Sequence, residues 1–148
     1  MFNNRGQSLV LFVITLPVLL IVLVLVIDIG RVISLKQELN NISELVLDYG
    51  LDYFNDVNID INDNVNGMSI DNGVIDIEDK LIEIIKLNKN DIDFIDVRID
   101  DNKIYIELSD RVDGTFSSIV NISVFDIRSI YVGYIDNNEK RIERVNGW

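Results

Sequence analysis

The sequence predicts an α+β protein in which one long N-terminal helix leaves a membrane and carries a second, short helix and a small antiparallel sheet of three to four strands. Three observations predict it. From Leu9 to Ile27 only Thr15 and Pro17 interrupt an apolar run, which at about 19 residues has the length needed to cross ~30 Å of hydrocarbon. Beyond the run Val32, Leu35, Leu39, Ile42, Val46, Tyr49 and Tyr53 recur three and four apart, the spacing of a helix that buries one narrow stripe. From Ile95 onward the apolar period falls from about 3.6 residues to about 2, the period of a half-buried strand.

The elements follow in chain order. Residues 1–7 are a short polar leader, residues 8–54 the membrane and spine helix, and residues 55–148 one small α+β domain. Each Leu, Ile, Val or Phe at depth contributes about −0.3 to −0.6 kcal/mol to insertion, so the run sums to about −5 kcal/mol or better before Pro17 is counted. Pro17 kinks such a span rather than ending it, because local adjustment satisfies the freed carbonyl. Asp28 follows the run directly, and an acid there needs the interface or a partner. Arg31 stands three residues on and can pair with it on the same face. The stripe admits two readings, a helix packed on its own sheet or a helix kept for partner helices, and both can hold along different turns.

Residues 55–73 are rich in Asn and Asp and contain Asn66-Gly67 and Asn72-Gly73, which are turn dipeptides, so a loop is expected there. Asp76 is placed to cap a helix over about Ile77–Leu87, with Glu78 and Asp79 in its first turn and Lys86 and Lys89 near its end. Its apolar face is Ile77, Leu81, Ile84 and Ile85. Next, Ile95, Val97 and Ile99 alternate with polar residues, as do Ile104, Ile106 and Leu108. Folding at Asp101-Asn102 opposes Ile99 to Ile104, Val97 to Ile106 and Ile95 to Leu108 on one face. Phe116, Ile119 and Val120 predict a short helical turn, residues 127–135 a third strand, and Ile142 and Val145 an edge strand after the turn at Asp136-Asn137-Asn138.

Composition narrows the function. A net charge of −12 argues against nucleic acid or anionic lipid as a partner, since both require clustered Lys and Arg. Cysteine and histidine are both absent, which removes disulfides, thiol nucleophiles, the commonest general base and the commonest metal ligand. No residue spacing forces a catalytic site, so the expectation is no enzyme, no cofactor, no metal and no small-molecule substrate. Asp60-x-Asn62-x-Asn64 has the spacing of the first ligands of an EF-hand loop, but Val65 stands where Gly is required and no Glu closes the loop. Asp96, Asp100, Asp101 and Glu107 gather around the hairpin as strand-face charges. Asn41-Ile42-Ser43 and Asn121-Ile122-Ser123 match a glycosylation sequon that recurs by chance. The run exceeds the usual signal-peptide core and no small-residue cleavage site follows it, so it reads as retained. Orientation is a tie by charge, with Arg5 and the amino terminus on one side and Arg31 and Lys36 on the other.

The opening Arg5-Gly6-Gln7-Ser8-Leu9-Val10, Leu16-Pro17 inside the run, and Ile27-Asp28-Ile29-Gly30-Arg31 resemble the start of TadE/TadG-like proteins, the pseudopilin-like components of tight-adherence pilus systems. The stretch Phe116–Ile122 followed by an alternating strand is similar to the family's C-terminal pattern. The resemblance implies a pilin-like spine helix, a cytoplasmic N-terminus, an extracytoplasmic domain and a place in a type IV/Flp-like apparatus. It also implies cutting between Gly6 and Gln7 by a prepilin peptidase, and other pseudopilins or platform proteins as partners. Pilin-like members often carry Glu at the fifth mature position. Leu11 stands there, so the resemblance points to a minor component. The alternative is a membrane-tethered binding module outside any filament.

Overall fold

The computed structural model describes residues 4–63, 70–100, 103–114, 124–137 and 139–145. Side chains are described for residues 8–53 and 77–100 and for the same strand residues. The order is α1 (Asn4–Asp63), α2 (Ile70–Asn88), β1 (Phe94–Asp100), β2 (Lys103–Asp113), β3 (Val124–Asp136) and β4 (Glu139–Arg144). The strands form one four-stranded antiparallel sheet in the order β1-β2-β3-β4. The architecture is therefore α+β, with a long apolar N-terminal helix, a second helix and the sheet.

The β1–β2 hairpin has the predicted register: Ile99 opposes Ile104, Val97 opposes Ile106 and Ile95 opposes Leu108. Strict alternation specifies it, because a slip of one residue would turn every apolar side chain to the opposite face. In the β3–β4 hairpin, Gly133 opposes Ile142 and Asp136 opposes Glu139. Asn137 in its turn has φ 50°, a left-handed conformation that Asn adopts more readily than most residues. The amide of Val145 donates to the carbonyl of Ile130 at 2.9 Å, prolonging the β4 ladder.

Helix boundaries depart from the sequence reading. Residues 4–7, expected in a leader, and 55–63, expected in a loop, are helical. Asn and Asp are poor helix formers, but once a helix is nucleated each costs only about 0.5–0.7 kcal/mol relative to Ala. α2 starts seven residues before Ile77, so Asp76 is inside it and Asn72-Gly73 is helical rather than a turn. In the sequence Ile70 and Val74 keep the three-and-four spacing of Ile77 and Leu81, and a single Gly inside a helix costs only about 1 kcal/mol. Asn66-Gly67, the loop residues Asp101-Asn102 and the turn expected at Phe116–Val120 lie outside the described residues.

The chain divides into two compact units, Met1–Leu35 with Arg111–Phe125, and Lys36–Asp110 with Asp126–Trp148. The core of the second unit joins Leu39, Val46, Leu47 and Leu51 of α1, Ile77, Leu81 and Ile85 of α2, and Val97, Ile104, Ile106, Leu108, Ile127 and Tyr131 of the sheet. α2 also guards a sheet edge. Glu78 Oε1 accepts the amide of Ile99 at 3.0 Å, occupying an outward donor on β1 that would otherwise invite another strand.

Candidate membrane anchor and assembly surface

The first unit contains a helix segment long and apolar enough to cross a membrane, within Ser8–Tyr53. From Leu9 to Ile29 every large apolar side chain other than Val24 is exposed. A helix bare and apolar on all sides has no aqueous solution to its packing and belongs in lipid or among other helices. Pro17 sits within α1 without ending it, as expected. One hydroxyl bond accompanies the proline region: Thr15 Oγ1 donates to the carbonyl of Leu11 at 2.8 Å, which would keep the hydroxyl from facing hydrocarbon unpaired. Gly6 and Gln7 are helical.

Asp28 behaves unlike its neighbours. It is 4% exposed, between Ile27 at 47% and Ile29 at 49%. Val24 and Val32, one turn to either side of it, are half-buried, as is Leu35. The face through these residues is thus the shielded one. Asp28 and Arg31 are both engaged in polar interactions, and Arg31 is exposed. An alanine-like Cβ at Gly30 would meet open space, so that side of the helix is uncovered.

In the second unit the spine residues Leu39, Ile42 and Val46 are buried, whereas Tyr49 is 40% exposed. Tyr53 is half-buried, with Lys80 Nζ 5.1 Å from its ring centre. The positions that complete the buried face are Ser43, Leu47, Gly50 and Leu51. Ser43, Leu47 and Gly50 lie one residue on from Ile42, Val46 and Tyr49, and Leu51 one further, where a straight helix of about 3.6 residues per turn drifts off a strict heptad seam. This face is fixed to the sheet by polar contacts as well. Ser129 Oγ donates to Asn40 Oδ1 at 2.9 Å and lies 3.3 Å from Ser43 Oγ, which donates to the carbonyl of Leu39. On the flank, Lys140 Nζ is 2.7 Å from both Asp48 Oδ1 and Asp52 Oδ1, tying β4 to α1.

Lys89 gathers three carboxylates: Asp110 at 3.4 Å, Asp91 at 3.5 Å and Glu38 at 3.7 Å. Burial alone lowers its pKa, but Glu38, Asp110 and Asp91 outweigh burial and hold it above its ordinary value. The cluster links α1, the end of α2 and β2, and leaves the lysine charged and unreactive at neutral pH.

Of the acids around the hairpin, Asp96 pairs with Arg98 at 2.8 Å and Glu107 with Arg128 at 2.6 Å. Asp60 and Asn62 are helical, which does not form an EF-hand loop. Among the described residues no group of three Asp or Glu could hold a metal ion, and the chain has no cysteine. A depression lined by Asp79, Ile82, Glu83, Lys86, Leu87 and Asn90 runs along α2 and is open to solvent.

A family model described as TadE-like protein matches residues 6–44. The match spans the bare helix and the first turns of the buried stripe, and leaves α2 and the sheet outside it. No curated protein and no solved structure matches the chain.

Proposed function

We propose that the chain is a minor, pseudopilin-like structural component of a tight-adherence or type IV pilus-like system, held by a single membrane span. Its N-terminus is cytoplasmic and its α+β domain extracytoplasmic, and its partners are other pseudopilins or platform proteins in the membrane. The observation that carries this reading is the coincidence of the TadE-like match with the bare apolar helix. Burial of Leu39, Val46 and Leu51 on the chain's own sheet restricts helix-to-helix assembly to the portion before them. Assembly therefore works through the membrane segment. On this reading Asp28 and Arg31 form an interfacial pair that sets the depth of the anchor, and Gly6-Gln7 is the processing point.

The buried spine also favours a second reading, a membrane-tethered binding module, whose helix would be satisfied at home. Photo-crosslinking in cells distinguishes the two. A crosslinker at Leu20 should capture other membrane proteins under the assembly reading, whereas capture only from the domain surface would favour the module. Orientation is tested separately with Asp100→Cys in this cysteine-free chain. An impermeant maleimide should label intact cells from which any outer barrier has been removed, and labelling only after lysis would reverse the topology.

A further inference from the structure

The sheet ends in two outer strands, β1 and β4, and the two edges are treated differently. On β1, Glu78 of α2 takes the outward amide of Ile99. On β4 the amide of Val145 points inward to Ile130, and alternation along an antiparallel ladder then turns the amides of Lys140, Ile142 and Arg144 outward. Among the described residues nothing meets these three amides. Such an edge accepts another strand unless its side chains forbid it. Those of β4 forbid nearly every pairing with themselves. Antiparallel pairing of identical strands about a two-fold normal to the sheet sets one residue opposite its own copy. Glu139, Lys140, Arg141, Glu143 and Arg144 would each face a like charge there, which is unfavourable. Ile142 is the one residue of β4 that would not.

We propose that β4 pairs antiparallel with β4 of a second copy, Ile142 opposite Ile142, joining the two sheets into one. In that register Arg141 and Glu143 oppose each other twice, on the face away from the helices, and opposite charges so placed attract. On the helix face, where Gly133 opposite Ile142 lies against Leu47 and Leu51, Lys140 opposes Arg144 of the second copy. Those two cations find their counter-charges at home. Lys140 Nζ stands 2.7 Å from both Asp48 and Asp52, whose side chains are 60% and 63% exposed, so two carboxylates share one cation. Arg144 of the second copy supplies the other. A two-fold along the strands would instead pair them parallel and set each charge beside its like. The contact is confined to one edge, which makes it weak and reversible. Being isologous, it closes at two copies and does not propagate. Because its two-fold stands normal to the sheet, residues 36–53 of the paired copies run in opposite directions.

The test uses charge exchange in the full-length, detergent-solubilised chain, read by sedimentation at rising concentration. The parent should dimerise, while Glu143→Arg alone and Arg141→Glu alone should stay monomeric, since each then opposes like charges. Mixing the two variants restores both opposite-charge pairs and should restore the dimer. The register is read by single cysteines in this cysteine-free chain. Ile142→Cys should form a disulfide with itself on mild oxidation, the Cα atoms of such an opposed pair being about 5.5 Å apart. Lys140→Cys and Arg144→Cys should form none alone, each lying about 14 Å along the strand from its own copy at ~3.4 Å per residue, but should crosslink when mixed. A monomeric parent, or no recovery on mixing the charge variants, would overturn the proposal. Dimers that form equally in the parent and both charge variants would overturn it too, by placing the contact elsewhere in the chain, and would leave the pilus-like reading standing.

Discussion

Gly133 and Gly50 mark close approaches between α1 and its neighbours, and at both the nearest atoms opposite are side-chain methyl groups. A Cβ at Gly133 would lie 3.0 Å from Leu47 Cδ2 and 3.2 Å from Leu51 Cδ1, with Leu47 Cβ at 3.5 Å behind them. At Gly50 the contacts are the methyl ends of Ile104, at 2.9 Å, and Leu81, at 3.3 Å. Methyl ends can turn aside, and Ala gains about 1 kcal/mol over Gly inside a helix. Gly50→Ala is therefore expected to change stability by less than about 1 kcal/mol, while Gly133→Val overpacks the helix–sheet interface and costs roughly 1–3 kcal/mol or more. Urea denaturation of the detergent-solubilised chain reads both, and equal effects would show that the close approach at Gly133 is relaxed in solution. Neither position was legible beforehand, since Gly and Ser carry no hydrophobic signal and Gly50 and Ser43 became visible only once the helix lay on the sheet. A second residue-scale expectation concerns pH. The Lys89 pKa stands above its ordinary 10.5, burial opposing and Glu38, Asp110 and Asp91 prevailing; that of Tyr131 stands above 10.0 through burial and its bond to Glu44. A raised folded pKa contributes stability that is complete below the unfolded value and lost as pH rises through the folded one. The melting temperature should thus fall above about pH 10, and Lys89→Met should flatten part of that slope. The same substitution removes the ammonium from beside buried Asp110 and is expected to cost up to about 3 kcal/mol at pH 7. A variant as stable as the parent would show that Asp110 finds enough compensation elsewhere.

Among the elements, the hairpin and the apolar run were legible and the helix ends were not. Alternation is a local signal with one solution: Ile95, Val97 and Ile99 can share a face only in a strand, and the two-residue connection then fixes the register that Ile99 and Ile104 show. Helix ends are decided by small differences that sequence motifs overstate. Asn72-Gly73 signals a turn when strands flank it, but Ile70 and Val74 extend a helical face across it, and α2 runs through. The spine was half legible for a geometric reason. A seam spaced for a supercoil predicts Tyr49 inside; a helix lying on a sheet keeps about 3.6 residues per turn and brings Leu47, Gly50 and Leu51 inward instead. The hairpin provides the element-scale test. Val97 is buried opposite Ile106, while Arg98 is exposed and pairs with Asp96. Val97→Asp should bury an unpaired carboxylate and cost several kcal/mol, against about 1 kcal/mol or less for Arg98→Asp. Comparable losses in thermal melting would mean that the sheet presents its other face to the helices.

For the whole molecule, the contrast lies between the spine from Leu39 onward, buried with the sheet, and the exposed apolar helix before it, which is long enough to cross a membrane. The family signal follows that contrast, since the match at residues 6–44 covers the exposed apolar helix and ends within the first turns of the buried spine. The family resemblance was therefore legible at the N-terminus alone, where the apolar run sets the pattern, whereas α2 and the sheet need only pack, which many sequences achieve. The same segment bears on abundance. If Gly6 is the cleavage point, the amine freed on Gln7 enters a low-dielectric setting where an unpaired charge is costly. A carboxylate at the fifth position could meet that amine on a neighbouring copy, but Leu11 stands there and offers only an exposed apolar side chain. Asp28 does not substitute, because it lies about 25 Å along the helix from Leu11 at ~1.5 Å per residue. It is also already buried and engaged. Repeated stacking would leave one such amine per copy without a counter-charge, whereas a single insertion at a tip or in a platform leaves one in all. The expected outcome is therefore a protein present at a small fraction of any co-assembled small pilin, measured by intact mass, N-terminal sequencing and quantification of sheared filaments. Recovery as the most abundant filament subunit, beginning at Gln7, would sink the minor-component reading and require a different partner for the amine.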